Sequence, residues 1–106
     1  MKKYLNFKNK VAVITGAGSG IGKEVSIKLA NLGSKVILIG RSKKVTQLKK
    51  KIKKKNVVSY ICDLSEEKSV KDLYDKIIRK YKKVDILVNS AGVTASGDIE
   101  NTTSEE

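Results

Sequence analysis

Histidine, proline and tryptophan are missing from all 106 residues, and cysteine occurs once. Without histidine there is no imidazole to act as a base near neutral pH or to ligate a metal. The lone thiol, Cys62, makes no disulfide within the chain, and with no histidine beside it no zinc site is expected. No run approaches the ~18 apolar residues that span a bilayer. The N-terminus leads from Met1-Lys2-Lys3-Tyr4 into polar Asn/Lys sequence, not into the apolar core of a signal peptide. These absences point to a cytoplasmic chain without a membrane partner. Its length sets the expectation of one domain over residues 1–106, with a modest core.

Acidic side chains are scarce in the first part of the chain. Residues 1–62 hold 16 Lys/Arg against one acid, Glu24, whereas residues 63–106 hold 7 Lys/Arg against 10 acids, for an overall charge of +12. Such a balance suits a polyanionic partner. Arginine, however, occurs only as Arg41 and Arg79, and readers of nucleic acid draw on its bidentate fork. A solvated lysine surface is the simpler reading, and no nucleic-acid partner is expected. The run "KKKIKKK" at residues 49–55 fits that view: Ile52 is in phase with Leu48 and Val45, so the lysines belong to the outer face of a helix.

Four β-branched runs alternate with helical patterns. The strand candidates are residues 11–15, 35–40, 57–61 and 84–89, all nearly continuous in apolar residues, as expected of parallel strands covered on both faces. The first helix places Ile21, Val25, Leu29 and Leu32 on one stripe and stops at Gly33. The second starts at Ser42 as N-cap and carries Val45, Leu48 and Ile52 inward. The third follows Ser65, with Glu66 and Glu67 at its positive end and Val70, Leu73, Tyr74, Ile77, Ile78 and Tyr81 as its stripe. The order β-α-β-α-β-α-β with right-handed crossovers predicts an α/β fold. It is half of a Rossmann-type, doubly wound parallel sheet with strand order 3-2-1-4.

Between the first strand and the first helix lies "TGAGSGIG", with four glycines in seven positions. Free backbone N–H groups and the helix dipole favour an anion there, and glycines let a pyrophosphate approach the main chain. The G-x-G-x-x-G fingerprint is not met, because Ile21 stands where its third glycine would fall. The pattern is instead Thr-Gly-x-x-x-Gly-x-Gly, through Thr15, Gly16, Gly20 and Gly22.

In this loop, in the "CDL" of residues 62–64 and in the "NSAG" of residues 89–92, the sequence resembles the short-chain dehydrogenase/reductases. In overall look it is nearest to 3-oxoacyl-carrier-protein reductases. The resemblance runs from about Asn9 onward and departs from the family's Asn-Asn-Ala-Gly at Ser90. It implies a cofactor loop of Thr15, Gly16, Gly18, Ser19, Gly20, Ile21 and Gly22. It implies that Asp63, with Leu64, meets an adenine ring. It implies that Asn89 braces the sheet while the backbone of Ala91 and Gly92 runs along the cofactor.

An NAD site commonly offers an acid about 20 residues past the glycines for the ribose diol. Here Gly40 and Arg41 stand at the end of the second strand, followed by Ser42. A small residue followed by a guanidinium fork suits a 2′-phosphate, so NADP(H) is expected in preference to NAD(H).

The resemblance further implies hydride transfer between the nicotinamide and a ketone or alcohol, on a small-molecule or acyl carbonyl substrate, in a homo-oligomer. The family's catalytic Tyr-x-x-x-Lys lies downstream of the Asn-Asn-Ala-Gly motif. The one such spacing in this chain, Tyr4 to Lys8, precedes the first strand. No catalytic residue is therefore assigned. The expectation is the cofactor half of an enzyme, inactive by itself and ending in an apolar edge strand. Two other readings stay open: a nucleotide-sensing module without catalysis, and a basic nucleic-acid-binding module.

Overall fold

The structure, a computed structural model, describes residues 6–90. Its elements follow the order β1 (Val11–Thr15), α1 (Gly20–Asn31), β2 (Lys35–Gly40), α2 (Lys44–Ile52), β3 (Val57–Ile61), α3 (Glu67–Tyr81) and β4 (Ile86–Asn89). All three strand pairs are parallel, and the order across the sheet is β3-β2-β1-β4. Alternate side chains serve two cores. Ala12, Ile14, Val36, Leu38 and Val57 pack with Leu29, Ala30, Val45 and Leu48 beneath α1 and α2. Val11, Val13, Ile37 and Ile39 pack with Cys62 and Ile77 beneath α3. Full burial of side chains such as Ile14, Ile37 and Ile77 contributes roughly 1.5–3 kcal/mol each before ordering costs. The doubly wound sheet expected from the pattern is the observed fold.

Particular expectations are corrected. Only β1 and β2 are buried almost throughout; β3 and β4 are half-covered flanks. In β4 the side chain of Leu87 is 66% exposed, although it lies in register with buried Val13. β4 also begins at Ile86 instead of Val84, because Asp85 turns its carboxylate back. That carboxylate accepts the Val11 N–H at 2.8 Å, while the Asp85 N–H donates to the Val11 carbonyl at 2.8 Å.

The helices differ in their faces and starts. On α1 the buried set is Gly22, Ser26, Leu29 and Ala30, and Ile21 is 67% exposed. Small residues face the sheet because the helix lies close to it, and Ser26 satisfies its buried hydroxyl by donating to the Gly22 carbonyl at 2.7 Å. On α3, Ile77 is buried as expected but Tyr74 is exposed. α2 starts at Lys44, with Lys43 at the N-cap; the Ser42 hydroxyl accepts the Lys44 N–H at 3.3 Å. α3 starts after Glu66 because Ser65 is held by Asp63. α1 closes as expected at Gly33, where the Gly33 N–H donates to Ala30 and the Ser34 N–H to Leu29, each at 3.1 Å.

Candidate functional site

Parallel strands deliver their C-terminal ends to one rim. The register pairs Thr15 with Ile39 on one side and with Asn89 on the other, and Gly40 with Ile61. Gly16, Gly40, Ile61 and Ser90 thus form a row above the sheet. From β1 the chain winds toward β2, and from β3 it crosses over to β4. The winding therefore reverses between β1 and β4, where open α/β sheets leave a crevice.

The glycine loop fills the mouth of that crevice. Gly16 (φ 66°) and Gly20 (φ 61°) take left-handed backbone, which side-chain-bearing residues avoid. Gly22 is required for a different reason. A Cβ there would collide with the Gly16 carbonyl oxygen and stand 2.5 Å from Ser90 Oγ. Ser19 precedes α1 in extended conformation, and its hydroxyl makes no capping bond. The first N–H groups of the helix are therefore not taken by a side-chain cap, which leaves donors and the positive dipole end facing the loop.

The loop is anchored from both neighbouring strands. The Ala17 N–H donates to the Ile39 carbonyl at 3.2 Å. From β4, Thr15 Oγ1 donates to Asn89 Oδ1 at 2.8 Å, and Ser90 Oγ lies 2.7 Å from the Thr15 carbonyl oxygen and 3.2 Å from that of Gly16. The bracing expected of Asn89 is thus shared with Ser90.

At the end of β2, Arg41 is exposed. A Cβ on Gly40 would lie 2.6 Å from Val45 Cγ1, so α2 packs directly on the position where an acid for a ribose diol would stand. Asp63 is exposed on the neighbouring strand end. Its Oδ1 accepts from the Ser65 hydroxyl at 2.7 Å and the Ser65 N–H at 3.0 Å. Those two bonds, with a smaller pull from the Arg41 charge, hold its carboxyl below the usual range. Beside it, Cys62 is buried in the layer beneath α3, where burial first and then the charges of Asp63 and Glu66 push its thiol up.

The rim brings together Thr15, Gly16, Gly18, Ser19, Gly20, Gly22, Arg41, Ser42, Asp63 and Asn89. Ile21, expected on the core stripe as well as in the loop, stays out of the core. Leu64 follows Asp63 at the same strand end, with its half-buried side chain packed on the layer beneath α3. Ala91 and Gly92 lie outside the described residues. Sequence reasoning missed Ser90 and Val45. Ser90 was visible as a departure within its motif, whereas the approach of Val45 to Gly40 had no sequence signal.

The sequence profile of the short chain dehydrogenases matches residues 10–106. The chain belongs to that family. It is 40% identical over 105 residues to an uncharacterized oxidoreductase of Staphylococcus saprophyticus, covering 91% of this chain and 45% of that protein. It is 39% identical over 93 residues to a 3-oxoacyl-acyl-carrier-protein reductase of Buchnera aphidicola, covering 86% and 37%. Among solved structures, it is similar to a metagenomic short-chain oxidoreductase in complex with NADP, at TM-score 0.77 and 33% identity over 82% of this chain and 41% of that one. It is similar also to a 3-ketoacyl-acyl-carrier-protein reductase from Brucella melitensis complexed with NADH, at TM-score 0.70 and 34% identity over 77% and 34%. The chain spans less than half the length of these relatives. Among the described residues, no helix is long and apolar enough to cross a membrane.

Proposed function

We propose that this chain is the dinucleotide-binding part of a short-chain oxidoreductase that uses NADP(H), passing hydride between the cofactor and a ketone or alcohol substrate. The observation that carries the reading is the rim. A loop with left-handed Gly16 and Gly20, and a bare Gly22 pressed on its backbone, lies beside Arg41 and a Gly40 sealed by Val45. The residues fit the group: the loop and the start of α1 would hold a pyrophosphate, Asp63 an adenine edge, and Arg41 with Ser42 a 2′-phosphate. When bound, the cofactor supplies the hydride. The described residues of the chain bind and orient it, and none of them is assigned a proton-transfer role.

The choice of NADP(H) rests on Arg41 and on the missing acid, since the similar structures include both an NADP and an NADH complex. Titration of the full-length protein with NADPH and NADH, followed by nicotinamide fluorescence, tests it. The expected result is tighter binding of NADPH, with Arg41→Ala lowering that affinity ~10- to 100-fold, the scale of a lost charge-assisted hydrogen bond, and leaving NADH nearly unchanged. Equal affinity for the two cofactors, unaltered by the substitution, overturns it. A 3-oxoacyl substrate is the first to assay, following the named relative from Buchnera aphidicola.

A further inference from the structure

We infer that Ser90 is a positioning residue for the pyrophosphate loop, acting through the peptide that joins Gly16 to Ala17; the inference rests on the dinucleotide reading above. That peptide spans the top of β1 and is held at both ends. Its carbonyl, on Gly16, faces Ser90 Oγ at 3.2 Å, and its N–H, on Ala17, donates to the Ile39 carbonyl at 3.2 Å. The preceding peptide, which joins Thr15 to Gly16, is tied to the same residue: its carbonyl accepts the Ser90 N–H at 3.2 Å and is the nearer of the two acceptors that share the Ser90 hydroxyl proton, at 2.7 Å, so Ser90 grips the chain on both sides of Gly16. The orientation of the Gly16–Ala17 plane decides where the next N–H groups point, and those are the groups that would meet an anion. Because Gly16 is left-handed and lacks a side chain, that plane is fixed by these contacts from the neighbouring strands and not by a side chain of its own.

The space for the hydroxyl is provided by a second residue. A Cβ on Gly22 would stand 2.5 Å from Ser90 Oγ. The bare α-carbon of the helix, the serine hydroxyl and the Gly16 carbonyl therefore occupy one close-packed point where β1, β4 and α1 meet. Ser90 stands where the resembling family carries a second asparagine, so the contact belongs to the side chain this chain happens to have.

The test is cofactor affinity in the full-length protein. Calorimetric titration with NADH and with NADPH is compared for the unmutated protein, Ser90→Ala and Ser90→Thr, together with the thermal midpoint of each. Ser90→Ala should weaken both dinucleotides by the same ~3- to 10-fold, the size of one lost hydrogen bond, because the pyrophosphate is common to them. Ser90→Thr, which keeps the hydroxyl, should restore most of it. A lower midpoint with unchanged affinity makes the residue a structural brace only and overturns the inference. If the alanine variant does not fold, Ser90→Cys reads the same loss with a weaker donor of nearly the same shape. Failure of the unmutated protein to bind either dinucleotide defeats the functional reading itself and is distinct from both results.

Discussion

Replacing Gly22 by alanine separates the close approach seen here from ordinary helix energetics, because the two predict opposite signs. Gly22 lies in the first turn of α1, and an alanine there gains up to about 1 kcal/mol of helix propensity over glycine. Propensity alone therefore predicts a more stable protein. In the structure, the added Cβ would meet the Gly16 carbonyl oxygen, Ser90 Oγ at 2.5 Å and the Gly16 carbonyl carbon at 3.0 Å. Two of those three atoms are backbone of a peptide tied to both neighbouring strands, so they do not give way as a flexible side chain would. Forcing a methyl into such a packed point costs about 1–3 kcal/mol. Displacing the Ser90 hydroxyl from the Gly16 carbonyl costs about 0.5–1.5 kcal/mol more. After the propensity gain, a net loss of about 0.5–3.5 kcal/mol is expected.

The assay is urea unfolding of the intact protein, with dinucleotide titration of the same samples. Gly20→Ala is the control. Among the described residues nothing lies within 4 Å of a Cβ at Gly20, but its φ of 61° is left-handed, so it carries a backbone penalty without a clash among them. That penalty is of the order of 1 kcal/mol. Gly22→Ala should lose more stability than Gly20→Ala and should also lose cofactor affinity. A Gly22→Ala protein that is as stable as the parent, or more so, with its affinity intact, would show that α1 does not rest on the Gly16 carbonyl. The reasoning about the loop would then fall.

Gly40→Asp alone should not create an NADH site, because its Cβ would lie 2.6 Å from Val45 Cγ1; paired with Val45→Ala it should raise NADH affinity, and a gain from the single substitution counts against the packing described. Stability should fall at both pH extremes. The Val11 N–H, and then Lys83 and Lys10, hold the Asp85 carboxyl below its ordinary 3.8, so its contribution is present above that value and is lost as pH falls through the lower folded pKa. Burial, and then neighbouring Tyr60, pushes Tyr81 up to about 12 from 10.0. Its contribution is present below 10 and is lost as pH rises toward about 12. Melting curves from pH 2 to 12 should show Asp85→Asn flattening the acid limb and Tyr81→Phe the alkaline one; limbs unchanged by these substitutions refute the assignment.

Topology could be read from the sequence because each strand carries its own β-branched run and each helix its own stripe. Strand order then followed from handedness. What escaped the reading were close approaches between elements. The α1 stripe was taken from its large residues, of which Leu29 is buried, yet Gly22, Ser26 and Ala30 share that face and Ile21 does not. Val84 and Asp85 looked like strand because they are contiguous with "ILVN", but a carboxylate able to take the Val11 N–H ends the ladder there. Ser65 looked like an N-cap until the Asp63 carboxylate claimed its N–H and hydroxyl. In the last two cases a carboxylate took a partner that the apolar pattern does not register. The loop glycines were found because their chemistry is local, whereas Ser90 entered only once β4 lay beside β1.

That dependence bears on how the site forms. The β1-α1-β2 unit is contiguous, but the groups that fix the shape of its glycine loop come from the far end of the described chain: Asn89 on Thr15, and Ser90 facing Thr15 and Gly16. Within the described residues, β4 is held to β1 by its ladder and by these polar contacts. Bringing β4 home closes a long loop, although the entropy of closure grows only slowly with length. A loop whose shape depends on a strand distant in sequence is one that a ligand can stabilise. A dinucleotide that binds only the assembled rim would contribute about 2.7 kcal/mol at a hundred times its Kd. That is comparable with the whole loss expected from Gly22→Ala, so a dinucleotide bound only to the assembled rim would be linked to the seating of β4 on β1 and would offset much of that substitution.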